Sequence, residues 1–167
     1  MNRTSADSCI FKDASGKVLY KITLTSVIYD SGTGKQTWKY YVEEFGGKNI
    51  SNWALQLCKD ANVSDTRPHT TEIDNPNEGH GKGNCLNIYD HIGCFYGSTS
   101  PVVDNQIKWN TDEEFTNGYF EFTLDKCYKS GDVHVSIKAG EECFCCMIQG
   151  PSCDPCPPEP GRGILFI

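Results

Sequence analysis

Three consecutive stretches, VLYKITLTSVIY (18–29), DSGTG (30–34) and QTWKYYVEEF (36–45), decide the fold class. In the first, Val18, Tyr20, Ile22, Leu24 and Ile28 fall on one side of an extended chain. In the last, Trp38, Tyr40 and Val42 do the same. Period-two alternation is the signature of a half-buried strand, and a Gly-rich loop between two such runs predicts a β-hairpin. Outward from this hairpin the same pattern recurs in SNWALQLC (51–58), Cys85–Tyr89, Gln106–Trp109, Tyr119–Leu124, Val133–Lys138 and Phe144–Ile148. Val, Ile and Thr number 32 against 14 for Ala, Leu and Met, and no helical window interrupts the series. Such β-branched residues lose rotamer freedom in a helix and pack well on a pleated surface. The expected fold is all-β, an antiparallel sandwich (Ig-like or jelly-roll) of eight or nine strands. The expected boundaries are an N-terminal arm at 1–16, a sandwich domain at 17–150 and a Cys/Pro-rich C-terminal arm at 151–167.

Charge and composition exclude several classes of function. The net charge is −7 and the basic residues are scattered, so no positive field is available to hold nucleic acid. No apolar run reaches the ~18 residues of a membrane span. Phosphate-cradling, dinucleotide and H-E-x-x-H motifs are absent. Gly93–Gly97 (GCFYG) has the spacing of a nucleophile elbow without the helix that an elbow needs. DNPNE (74–78) is oxygen-rich, but Pro76 takes a ligand position of a calcium loop. The carboxylate pairs 43–44, 113–114 and 141–142 are sequence neighbours that diverge on a strand, not convergent acid/base pairs. These readings predict a protein without catalytic residues, cofactor or metal.

Ten cysteines, at 9, 58, 85, 94, 127, 143, 145, 146, 153 and 156, are the strongest compositional signal. Zinc needs two close ligand pairs. Only Cys153–Cys156 has C-x-x-C spacing, and His69, His80, His91 and His134 form no i, i+4 pair. Disulfides and an extracellular setting are therefore expected. The first residues lack the pattern of a secretory signal, which leaves three explanations: a signal already removed, zinc in place of disulfides, or synthesis in a mother cell with oxidation after release, the last being the leading expectation. On a strand, Cys143 and Cys145 share a face and Cys146 takes the other, so adjacent Cys145 and Cys146 need different partners. Either all bridges close within the chain or an outward thiol reaches a neighbouring molecule.

Two segments stand apart. Residues 59–84 form a polar stretch with few apolar members, a surface excursion or a binding loop for a sugar or receptor. The stiff spacer PPEPGR (157–162) leads to an apolar arm, Gly163, Ile164, Leu165, Phe166 and Ile167. That arm either returns to its own sheet or adds to the sheet of another copy, and Cys9, Ile10 and Phe11 compete for the same role.

The segments TWKYYVEEFGGKNISNWALQLC (37–58), QIKWN (106–110), GYFEFTL (118–124), VHVSIKAG (133–140) and IQGPSC (148–153) resemble β-sandwich surface proteins of Gram-positive spore-formers. These are of the exosporium and endospore-appendage kind. The resemblance implies subunits that build fibres or coats on the spore by strand addition through a terminal arm, locked by disulfides between copies. Its implied partners are further copies of the chain and spore-coat or exosporium proteins. The cysteine cluster at 143–146 and the C-terminal apolar arm depart from the family, whose connector is N-terminal. The leading expectation is thus a self-assembling spore-surface subunit. The competing one is a secreted binding module that recognises carbohydrate or a receptor through loop 59–84.

Overall fold

The computed structural model describes residues 7–76, 85–86 and 103–158. Among them, ten strands form two antiparallel five-stranded sheets facing each other. The first sheet runs β1 (Ser8–Lys12), β2 (Val18–Asp30), β3 (Lys35–Glu44), β8 (Asn117–Leu124), β5 (Val63–Arg67). The second runs β10 (Glu142–Pro155), β9 (Tyr128–Ala139), β4 (Asn52–Gln56), β7 (Gln106–Asn110), β6 (Ile73–Asp74). The sandwich is the fold that the alternation predicts.

The inward faces meet in an aromatic core. Trp53 stacks on Trp109 with ring centroids 5.1 Å apart, and both meet Phe120 edge-on. Trp38, Tyr40 and Phe122 complete the layer from the first sheet. Burial of such rings is the main favourable term for a sandwich of this size.

Several elements differ from the sequence reading. The stretch 59–84 contains β5 and β6, short edge strands that bury no residue fully and so carry no apolar alternation. Cys85 and Leu86 lie in a turn, not at the start of a strand, and the rest of that segment is outside the described residues. β10 continues past Gly150, the expected end of the domain, to Pro155. The N-terminal segment is β1, paired with β2 of its own sheet. Its hairpin is locked by Asp13, whose Oδ1 accepts from the backbone N of Ser15 and Lys17 and from the Ser15 hydroxyl. Phe11 is buried and Ile10 is half exposed, so this pair completes the molecule's own edge and is not a connector. The apolar arm Ile164–Ile167 lies outside the described residues.

A bulge also corrects the reading of β2. Leu24 pairs with Tyr40 but Ser26 pairs with Lys39, leaving Thr25 as an extra residue whose Oγ1 donates to the Lys39 carbonyl at 3.0 Å. One inserted residue flips every later side chain to the other face. Val27 therefore packs against the core and Ile28 is 62% exposed. Ile22→Ala is expected to cost about 3 kcal/mol, and Ile28→Ala to change stability by less than about 0.5 kcal/mol. Urea denaturation of the two variants checks the bulge; equal losses would refute it.

Four disulfides join Cys9 to Cys146, Cys58 to Cys153, Cys85 to Cys143 and Cys127 to Cys156. Cys145 is disulfide-bonded as well, and no described cysteine is free. Cys94 lies outside the described residues. As the alternation requires, Cys146 faces the core side and Cys143 and Cys145 face outward. The outward pair is not available to a neighbour, however. Both are about 1% exposed, packed with Cys85 on the outer face of the second sheet. Cys9, Cys153 and Cys156 are likewise consumed within one chain, which removes them as links between copies. The C-x-x-C pair diverges into two different bridges and so does not form one metal-ligand pair. A framework of this density belongs to an oxidising, extracellular setting.

Candidate functional site

The most unusual feature is a gap in the first sheet. β8 pairs with β3 along its whole length, from Asn117 opposite Glu43 to Leu124 opposite Gln36. On its other side β5 pairs only with residues 121–124, ending where Arg67 meets Glu121. The row stops there because β5 ends at Arg67 and the chain turns away at Pro68. The Pro68 carbonyl instead accepts from Trp109 Nε1 at 2.8 Å, which turns the chain across the end of the sandwich. Asn117, Gly118, Tyr119 and Phe120 thus have no strand on their second side among the described residues.

Strand parity shows which backbone groups face this gap. Glu44 N donates to the Thr116 carbonyl at 2.8 Å, so the even-numbered residues of β8 exchange bonds with β3. The odd-numbered residues face the β5 side, as the Ser64 hydroxyl on the Thr123 carbonyl confirms. The N–H and C=O groups of Asn117 and Tyr119 therefore point into the gap, and no described residue bonds to them.

A cavity of about 280 Å³ opens beside this edge, walled by Pro68, Asn110, Asp112, Phe115, Tyr119 and Phe120. A second cavity of about 260 Å³ shares Pro68, Asn110 and Phe120 with it and extends along His69–Glu72 to Trp109. The floor is apolar and the rim is acidic. Asp112 Oδ1 accepts from Glu114 N at 3.0 Å, holding the turn that leads to Phe115. Glu72 bridges the Lys108 ammonium at 3.2 Å and the Asn110 side-chain amide, so that nearby cation is already neutralised. Tyr119 projects outward at 56% exposure, against the Tyr41 ring and with Lys39 Nζ 4.6 Å from its own ring centroid.

Of the residues singled out in the sequence, Trp38, Tyr40, Trp53 and Trp109 are core, while Tyr41 lies on the outer face. Loop 59–84 contributes Pro68–Glu72 to the cavities. No group of three metal-ligating side chains occurs among the described residues. GCFYG (93–97) falls outside them, as do Asn77 and Glu78 of the oxygen-rich run. Sequence reading missed Asp112, Phe115, Pro68 and the edge of β8. The one available signal was Pro68 directly after a short polar run, since proline commonly ends a row of strand hydrogen bonds.

The gap thus sets the unpaired backbone groups of Asn117 and Tyr119 beside an apolar floor and an acidic rim. No family model, curated protein or solved structure matches this chain.

Proposed function

We propose that this chain is a structural subunit that self-assembles into a filament or coat on the bacterial spore surface by strand addition between copies. The observation that carries this reading is the open edge at Asn117 and Tyr119, beside an apolar cavity. Backbone groups there can accept a strand without displacing any described residue. The disulfides reinforce each subunit from within, and the joints between copies are non-covalent.

Electron microscopy and sedimentation of the full chain, beside a chain ending at Pro158, test the proposal. The full chain is expected to form polymers that SDS alone, without thiol, takes apart to monomers. The shortened chain is expected to stay monomeric. A full chain that remains a monomer at high concentration overturns the reading, and a thiol-dependent ladder overturns its non-covalent joint.

The cavity along His69–Glu72 favours a second reading, a binding module whose loop 59–84 holds a sugar. Pro68 and His69 line it beside the edges of the buried Trp109 and Phe120 rings, and Glu72 and Asn110 supply planar hydrogen-bonding groups there. Retention of the shortened, monomeric chain on immobilised glycans, lost on Asn110→Ala, would select it.

A further inference from the structure

We infer that the open edge of β8 is the acceptor, and that its occupant is the segment Gly163–Ile167 of a second copy. This rests on the strand-addition reading above and assigns its two halves.

The other edges are poor acceptors. β5 is blunted by a bulge between Val63 and Asp65 and by the Asp65–Arg67 ion pair. β6 has two residues. Along β10, the Tyr40 hydroxyl already donates to the Gln149 carbonyl at 2.8 Å, and Pro151 has no N–H. β1 is tied to β10 by the Cys9–Cys146 bridge.

The gap and the segment match in length, polarity and charge. Four residues of β8 offer about 13 Å of edge, and five extended residues span about 17 Å. An added strand exchanges two hydrogen bonds with Tyr119 and further ones with Asn117. Its core-side residues drop onto Pro68, Phe115 and Phe120, which an uninterrupted Ile-Leu-Phe-Ile run satisfies in either facing. Arg162 immediately precedes the run, and the rim of the gap carries Asp112 and Glu114.

Reach favours a second copy over the same chain. Cys156 is held at Cys127, beyond the Leu124 end of β8. Tyr119 lies five residues back along the strand, about 17 Å away. The spacer Pro157–Arg162 extends to about 19 Å, and it must also pass around β5. In its own molecule the arm would have to follow the length of β5 back to the gap with most of the spacer extended. In a neighbour it has no such restriction.

Complementation tests this. A full chain with Tyr119→Pro donates its arm but cannot accept one, because the substitution removes the gap-side N–H while the bonds of β8 to β3 come from even-numbered residues. A chain ending at Pro158 accepts but cannot donate. Each alone is expected to run as a monomer in light scattering, and the mixture as a 1:1 pair. Asp112→Lys with Glu114→Lys in the accepting chain is expected to weaken the pair at least about tenfold. The same rim change, placed in the full chain, replaces Tyr119→Pro if circular dichroism shows that variant unfolded. If the unaltered chain polymerises but the mixture stays monomeric, this acceptor is wrong and strand addition at another edge survives. If the unaltered chain does not polymerise either, both fall. A compact full-length monomer whose gap amides are protected from exchange shows the arm folding back on itself and overturns the second-copy occupant.

Discussion

Replacing Cys9 and Cys146 together with serine is expected to lower the unfolding free energy by about 4 kcal/mol. The two residues are 137 apart in sequence, but the loop that their bridge closes is shorter than that. With Cys58 and Cys153 joined, the covalent path runs from Cys9 to Cys58, across that bridge and back to Cys146. That is on the order of fifty residues, and the entropy removed from the unfolded chain follows this shorter loop. Few other contacts join this side of the sandwich. β1 and β10 border different sheets, and the bridge is backed there mainly by Phe11 and Tyr20 packed edge-on against Phe144. Denaturant unfolding of the double variant, with the other bridges intact, measures the loss. Amide exchange should show β1 opening first, up to the hairpin that Asp13 holds. A loss below about 1 kcal/mol would mean that the loop entropy is not what the bridge contributes.

The fold class was legible because alternation reports burial directly. It held for β3, for β8 and for β2 as far as Leu24. It failed at Ile28 because a bulge is a feature of pairing: Thr25 is an unremarkable polar residue until two residues of β2 are seen to face one interval of β3. β5 was illegible for a related reason. VSDTR is stabilised by backbone bonds to β8 and buries little, so it leaves no hydrophobic pattern to read. The cysteines divide the same way. That Cys145 and Cys146 part company follows from strand geometry, whereas the union of Cys146 with Cys9 depends on which sheet edges meet. The candidate site was the least legible element. A gap in a sheet is defined by where β5 stops relative to β8, and neither strand's sequence records the length of the other.

Gln36→Leu is expected to destabilise the protein by about 4 kcal/mol although it preserves volume and adds apolar surface. Gln36 is fully buried on β3, at a position where alternation would place an aliphatic residue. Its Nε2 donates to the Tyr128 carbonyl at 2.9 Å. Its Oε1 accepts from Tyr128 N at 3.0 Å and from Trp38 Nε1 at 2.9 Å. One amide thus joins the first sheet to the start of β9 in the second and satisfies the indole of a core tryptophan. Leucine leaves two donors and one acceptor buried without partners, each costing roughly 1–3 kcal/mol, and its transfer gain does not offset them. Gln36→Glu separates the parts of this account. Its carboxylate still accepts from Trp38 and Tyr128 but faces the Tyr128 carbonyl, and only the protonated acid can donate to that oxygen. Burial raises the introduced carboxyl's pKa above its unfolded value. Its contribution is therefore fully present below the unfolded pKa of about 4.3 and is lost as pH rises through the folded pKa. Relative to the parent, Gln36→Glu should recover stability on acidification, while the deficit of Gln36→Leu should not change with pH. Parallel pH dependences for the two variants would refute a hydrogen-bonded hub at Gln36 and leave packing as the only cost.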